Sequence, residues 1–240
     1  MKFSILSKAP IREAIINIIV KLPSDITIND IEKIYDSVKD KYPTKKDFIE
    51  SKANIGSQFI KTSNNKIGFS LFSSDNLQVM QPRLNSFIFN RLSPYENWEI
   101  FSSEAKRLWQ IYREATCPEI TKLALRYINI LEIPAKCNMI DYLTSPPTIP
   151  PQLSQNQYIS NFLHRVFITD TTNNCSASIT QLLEKTINDI STILLDIEVF
   201  TNISSTFSDN ELWEMMEFLC KYKDNIFYAS ITEKLLEKYK

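Results

Sequence analysis

Residues 119–133 have the sequence EITKLALRYINILEI and lie between Pro118 and Pro134. The segment is long enough for a helix, but its β-branched residues favour a strand. Proline has no backbone N–H and interrupts regular hydrogen bonding, so each end of the segment has a natural stop. We therefore predict one long β-strand over residues 119–133.

A second strand and a helix are predicted near the N-terminus. Residues 15–20 (IINIIV) form a β-branched run that Pro23 ends, which is typical of a buried strand. Thr27 and Asn29 are residues that favour helix N-caps, and apolar residues then recur at helical spacing as far as Pro43. This part of the chain is predicted to be a strand followed by an amphipathic helix.

Between these elements and the long strand, the sequence predicts an antiparallel meander and a second helix. The meander strands are predicted at residues 48–51, 57–62, 67–72, 77–81 and 85–92. Polar turns are expected at residues 63–66 (SNNK) and 73–76 (SSDN), because Asn and Asp tolerate the left-handed conformation. From Tyr95 to Tyr112 aromatic and aliphatic residues recur every three or four positions, which predicts a long helix.

The C-terminal part begins with the proline-rich residues 145–151 (SPPTIPP), which favour an extended surface crossover. Three strands are predicted after it, at residues 159–169, 175–183 and 191–200. Ser208 and Glu211 have the spacing of a capping box, which predicts the start of a helix. A further short helix is predicted over residues 227–239.

Together these patterns predict an α+β protein in which amphipathic helices pack on one face of antiparallel sheet. Two similar halves are one arrangement that the order of elements allows. We expect an N-terminal unit at residues 1–144, the crossover at residues 145–151 and a C-terminal unit at residues 152–240, with one continuous domain as the alternative.

The composition excludes several kinds of site. The 240 residues include only two glycines, Gly56 and Gly68, and one histidine, His164. Phosphate-binding loops need several glycines at fixed spacing, and many metal sites need two or three imidazoles, so we expect neither a nucleotide cofactor nor a metal. Gly56 precedes a predicted strand, whereas Gly68 lies inside one, where it indicates a bulge or a close backbone approach.

Charge, hydropathy and cysteine spacing describe a globular intracellular protein. Hydrophobic residues make up 43% of the chain, and its formal net charge is −1, which provides no general attraction for nucleic acid or anionic lipid. We expect no signal peptide and no membrane-spanning helix, because no apolar run is long enough. The four cysteines have no paired spacing, so we expect reduced thiols and a cytoplasmic location.

Arg126 lies among apolar residues in the long strand and is predicted to be partly buried, so it needs a partner. Arg12 and Glu13 occupy another strand-like stretch and are candidates for a structural ion pair with it. The alternative is an anion or carboxylate pocket formed by Arg126 with Arg12 or Arg83. His164 is better interpreted as a hydrogen-bonded sheet residue than as a general base for a cysteine nucleophile.

Two surfaces are candidates for binding a macromolecule. Aromatic residues on the helices are usually core but also occur at interface hot spots. The candidate protein interface comprises Trp98, Trp109, Tyr112 and Trp213. A basic stretch with interleaved aromatic residues is a candidate nucleic-acid patch. It comprises Lys39, Lys41, Lys45, Lys46 and Lys52. Acidic neighbours dilute its charge, which favours an ordinary solvated face.

Three segments resemble a known family: residues 8–14 (KAPIREA), residues 125–129 (LRYIN) and the terminal segment from Leu212 to Thr232. They are similar to an uncharacterised prokaryotic family of about this length that is distributed sporadically among strains. The resemblance implies genes carried by mobile elements, as in phage-defence or toxin–antitoxin loci, and brings no enzymatic activity with it. That family carries a histidine near the terminal helix, where this chain has Trp213 and Glu214.

Three functions follow from these observations. The first is a non-catalytic cytoplasmic interaction protein, an accessory or sensing subunit of a defence-type system that binds a protein partner, for example the product of an adjacent gene. The second is a nucleic-acid-binding module that uses the lysines at positions 39–52. The third is a small-ligand or anion-binding protein or enzyme centred on Arg126.

Overall fold

The computed structural model describes residues 6–55, 60–153, 157–203 and 207–240, without the side chains of residues 52–62. The described strands form one antiparallel sheet with the order β2-β3-β4-β5-β1-β6-β9-β8-β7. The strands are β1 (Ile11–Lys21), β2 (Thr44–Ile55), β3 (Ile60–Phe72), β4 (Gln78–Pro82), β5 (Ser86–Leu92), β6 (Glu119–Pro134), β7 (Leu163–Asp170), β8 (Cys175–Ile187) and β9 (Ile190–Asn202). The helices are α1 (Ile28–Lys33), α2 (Trp98–Thr116), α3 (Asp209–Ser230) and α4 (Glu233–Leu236), with short 3-10 helices at Ile34–Ser37 and Met139–Asp141.

The path of the chain repeats itself once. In the first half, the strands β2 to β5 run as a meander that returns to pair with β1, and helix α2 follows. In the second half, β7 to β9 form a meander that returns to pair with β6, and helix α3 follows. The two halves meet where β1 pairs with β6, and the α+β prediction is confirmed. The halves follow similar paths, with five strands in the first and four in the second.

The core lies between the helices and one face of the sheet. Side chains alternate along each strand, and the residues of β1 and β6 that face the helices are almost all apolar and buried. On β6 these include Leu123, Leu125 and Tyr127. Burying each such side chain contributes about 1.5–3 kcal/mol, and the long predicted strand is central because it has most of these positions.

The proline-rich crossover does not interrupt the sheet. Residues 145–151 have no strand or helix, but β6 before them pairs along its length with β9 after them. The register runs from Lys122 opposite Asn202 to Pro134 opposite Ile190. The sheet therefore continues across the division at residues 145–151.

Some predicted boundaries are wrong. Residues 63–66 were expected to form a turn but belong to β3, where Asn64 pairs with Ser51 and their side chains are hydrogen bonded at 2.7 Å. The first helix, which was predicted to extend as far as Pro43, is shorter. Helix α1 ends at Lys33, and a 3-10 helix follows as far as Ser37. Helix α3 extends to Ser230, through the start expected for a separate helix at residue 227.

Gly68 confirms a close backbone approach within the sheet. A Cβ atom at this position would lie 2.4 Å from the carbonyl oxygen of Pro82 and 2.8 Å from the Cα of Arg83. The register of β2 against β3 also shifts between Phe48, which is opposite Gly68, and Ile49. A side chain at Gly68 would therefore force β3 away from the end of β4. Gly56 lies outside the described residues.

Candidate functional site

The face of the sheet opposite the helices, here called the open face, carries a cluster of polar side chains at its centre. The backbone register places Asn90, Ile15, Arg126 and Glu198 side by side on the four strands β5, β1, β6 and β9. Asn17 lies two positions further along β1 and therefore shares their face. Together with residues of β4, these side chains line a cavity of about 220 Å³.

Arg126 binds a carboxylate that sequence reasoning did not assign to it. Its Nε and Nη2 atoms donate to the two oxygens of Asp196, at 2.8 and 2.6 Å. These hydrogen bonds raise the pKa of Arg126, while partial burial acts against them. Asp196 is opposite Ile128 on β9, so the guanidinium reaches diagonally across the sheet to a neighbouring strand.

Arg12 and Glu13, the expected partners, make other contacts. Arg12 donates to Glu184 at 3.1 Å, and Glu13 accepts a hydrogen bond of 2.6 Å from Nδ2 of Asn90. Glu13 is on the open face near Arg126 and contributes only a minor part of the rise in the pKa of Arg126. The structure thus brings Glu13 and Arg126 to one face, and Arg126 pairs instead with Asp196.

Arg83 enters the same cavity from the loop end of β4. Its guanidinium carbon lies 3.5 Å from the centre of the Phe48 ring, and its Nη2 atom donates to Oε1 of Gln81. Burial lowers the pKa of Arg83 to about 10, and the charge of Glu50 acts in the opposite direction. Arg83 therefore carries a positive charge at neutral pH on the wall of the cavity.

A second cavity of about 160 Å³ lies on the helix side, between the start of β1 and the C-terminal half of α3. Residues from all three segments of the family resemblance line it: Pro10, Asn129 and Phe227. Lys223 is buried there, 3.8 Å from the centre of the Tyr127 ring, and its Nζ atom pairs with Asp224. Because this lysine is paired and Asn129 donates to the carbonyl of Leu195 at 3.0 Å, the polar groups here already have partners.

The four aromatic residues of the candidate protein interface differ in accessibility. Trp109 and Tyr112 are buried at 1% and 0% exposure and pack on Phe87. Trp98 and Trp213 are half-buried; Trp98 donates to Glu217 at 2.6 Å, and Lys106 lies over the Trp213 ring. Of the four candidate residues, only these two present an aromatic surface at the helices.

Among the described lysines of the candidate nucleic-acid patch, three have acidic partners and the fourth lies on the opposite face of β2 from Lys45. Lys39 pairs with Asp36, Lys41 with Glu104 and Lys45 with Glu32. Lys46 points to the opposite face of β2 from Lys45 and lies 5.0 Å from the centre of the Phe72 ring. The side chain of Lys52 is outside the described part of the structure. The three paired lysines have acidic partners that reduce their attraction for phosphate.

His164 is half-buried on β7, opposite Gln181, whereas Cys175 is opposite Asp170. His164 and Asp170 are six residues apart on the strand, which corresponds to about 20 Å. A direct contact between the histidine and that thiol is therefore impossible in this fold. All four cysteines are free, and burial raises the pKa of Cys220 to about 12.

Sequence reasoning missed one surface, the free edge of the sheet at β7. Within the described parts of the chain, this strand pairs only with β8, and it carries exposed apolar residues on both faces. The exposed fractions are 66% for Leu163, 38% for Val166, 69% for Phe167 and 37% for Ile168. A strand was predicted over residues 159–169, and β7 occupies Leu163–Asp170, so residues 159–162 were wrongly included. The place of β7 at the edge depends on the order of strands, which periodicity does not give.

Across the described ranges, no group of three or more His, Cys, Asp and Glu side chains is placed to hold a metal ion. No helix in the same ranges is both long and apolar enough to cross a membrane. Comparison with protein-family models gives no match, and comparison with curated protein sequences gives none either.

Proposed function

We propose that this chain is a non-catalytic interaction protein that binds a protein partner through the edge strand β7. The observation that carries the proposal is the exposure of Leu163, Val166, Phe167 and Ile168 on a strand with one neighbour. An exposed apolar edge is a template for another strand, and folded proteins normally cover or charge such edges.

The other edge of the same sheet supports this interpretation by contrast. Strand β2 carries Lys45, Lys46, Asp47 and Glu50 within six residues, together with a shift of register at Phe48. Charged side chains and bulges discourage edge-to-edge pairing. The protein thus protects one edge and leaves the other apolar, as expected if β7 has a specific partner.

The side chains of β7 indicate which kind of partner segment would pair with this strand. Apolar side chains on both faces favour an extended apolar segment, held by backbone hydrogen bonds along the edge. Arg165 is exposed, donates from Nε to Thr180 at 2.8 Å and has no carboxylate partner among the described residues. We expect the partner segment to place an acidic residue against Arg165.

The cellular role that we propose is that of a cytoplasmic accessory or sensing subunit in a phage-defence or toxin–antitoxin type system. The support for this part is the resemblance carried by residues 8–14, 125–129 and 212–232. The partner in such a system is expected to be the product of an adjacent gene.

The test is co-expression of the tagged full chain with the products of its adjacent genes, followed by purification at high salt. We expect one product to co-purify with the wild-type chain and to be lost with the double variant Val166→Lys, Phe167→Glu. Ile49→Lys, which changes a residue of 55% exposure on the opposite edge, is the matched control and should retain the product.

A complex that persists in the double variant would overturn the role of β7. Self-association through β7 without a second protein would show that the occupant is another copy of this chain, which also contradicts the proposal. Binding of nucleic acid that weakens steeply with salt would instead favour the nucleic-acid-binding module.

A further inference from the structure

The cavity on the open face exists because short side chains lie among longer ones. Ala124 is opposite Asn17, and both lie between strands that carry Ile88 and Phe200 at the same level. Lys122, two residues before Ala124, lies over the Phe200 ring at 3.9 Å. The result is a concave polar site of about 220 Å³ in the middle of a sheet face.

Three buried polar atoms of this cavity have no hydrogen-bond partner. They are Oδ1 of Asn17, Oδ1 of Asn90 and Nε of Arg83. Among the described residues only one other buried side-chain atom, Oε1 of Gln181, shares this condition, and it is not in the cavity. Buried polar groups nearly always have partners, so three unsatisfied atoms in one concave site indicate a ligand.

The orientation of the Asn90 amide follows from its surroundings. Its Nδ2 atom donates to Oε1 of Glu13 at 2.6 Å, so its Oδ1 atom is the group left without a partner. Asn90 has 8% of its surface exposed, so bulk water does not satisfy this oxygen. Asn90 therefore presents a fixed acceptor to whatever fills the cavity.

The charges of the lining define the class of ligand. Arg126 is paired with Asp196 and also lies opposite Glu198, so the remaining positive charge of the lining is that of Arg83. The unpartnered oxygens of Asn17 and Asn90 accept hydrogen bonds, and the unpartnered Nε of Arg83 donates one. A matching molecule thus needs a cationic donor and an anionic acceptor.

We propose that this cavity binds a small zwitterion with a primary ammonium and a carboxylate, of the α-amino-acid class. The ammonium would donate to the two asparagine oxygens, and the carboxylate would accept from Nε of Arg83. A cavity of about 220 Å³ has room for a molecule of this size. The inference is independent of partner binding at β7.

The test uses the full-length chain and each of the twenty proteinogenic L-amino acids as probes. We expect at least one to raise the unfolding temperature in a concentration-dependent way, because a ligand that binds only the folded state stabilises it. Isothermal titration then gives its Kd, and ethylamine and propionate, which carry one charge each, should bind at least roughly tenfold more weakly.

Variants locate the binding. Asn90→Leu and Arg83→Met should each weaken binding by roughly tenfold or more, since each removes a hydrogen bond to a charged group. Gln181→Leu is the matched control, because it removes the other unpartnered amide oxygen outside the cavity, and it should leave Kd unchanged. Circular dichroism establishes that every variant is folded.

The proposal is overturned if no amino acid changes the unfolding temperature, or if binding is equally strong in folded Asn90→Leu and Arg83→Met. None of these outcomes bears on co-purification through β7.

Discussion

Glu104 on α2 joins the helix to the segment that precedes β2. Its carboxylate accepts hydrogen bonds from the Tyr42 hydroxyl at 2.8 Å and from Arg107 at 2.7 and 3.1 Å, and Lys41 pairs with it at 3.1 Å. Burial alone would raise the pKa of Glu104, but the bonds from Arg107, Tyr42 and Lys41 outweigh it and lower that pKa. The folded state therefore favours the ionised carboxylate.

This arrangement predicts a pH-dependent effect of Glu104→Gln. A lowered pKa in the folded state stabilises the protein above the unfolded pKa of about 4.3, and this stability is lost as pH falls through the folded pKa. At neutral pH we expect the variant to lose about 1 kcal/mol of unfolding free energy, after allowance for solvent screening. Urea denaturation at pH 7, 5 and 3 measures the loss, which should shrink towards the lowest pH.

Glu99→Gln is the control for this experiment, because Glu99 is exposed in the first turn of the same helix. Its effect should be smaller at neutral pH than that of Glu104→Gln. A loss in Glu104→Gln that is the same at all three pH values would contradict an ionic origin.

Single residues also show how far a sequence specifies a site. The close approach at Gly68 was predictable, because a glycine inside a predicted strand has no side chain to pack and leaves room for a neighbouring backbone. The need of Arg126 for a partner was predictable too, but Asp196 was not, since the two are brought together by the register of β6 with β9. The unpartnered oxygens of Asn17 and Asn90 depend on the same kind of long-range register.

At the scale of elements, the most reliable signals were chemical stops and caps. The long strand between two prolines and the helix after Ser208 were both predicted from them and are both present. Residues 63–66 were misassigned because their polar, exposed side chains resemble a turn, while the pairing of β3 with β2 keeps them extended. The hydropathy pattern of a sequence gives little information about backbone pairing in an exposed hairpin.

The N-terminus of α3 provides a test at this scale. Ser208 accepts from the amide of Glu211 at 3.3 Å, and Glu211 accepts from the amide of Ser208 at 2.8 Å. We expect Ser208→Ala to lower the free energy of unfolding by about 1 kcal/mol, because the helix loses a cap. Chemical denaturation measures this, and Glu214→Ala at an exposed position within the helix should cost less. Equal effects of the two changes would contradict a capping role.

At the scale of the whole molecule, the sheet has a stable centre and one unprotected edge. Strands β1 and β6 have neighbours on both sides and a buried face, whereas β7 has one neighbour and mostly exposed side chains. The class of fold could be predicted because it follows from local patterns. The order of the strands could not be predicted from local patterns, and therefore the location of the free edge could not be predicted either.

Hydrogen exchange of the isolated protein should reproduce this gradient. Amides of residues 16–18 in β1 are expected to exchange far more slowly than those of residues 166–168 in β7, because opening the centre requires disrupting the core. Mass spectrometry of peptides covering the two strands measures the difference. Equal protection of β7 in the protein alone would mean that this edge is already covered, contrary to our proposal.

The path of the chain also means that the two neighbours of β1 become available one after the other as the protein leaves the ribosome. Strand β1 finds its first neighbour when β5 is complete at Leu92, but its second neighbour, β6, ends only at Pro134. At roughly 5–20 residues per second, the intervening synthesis lasts about 2–8 s. During that interval the edge of the apolar strand β1 that pairs with β6 is exposed in the nascent chain. Pairing with β6 then covers this edge.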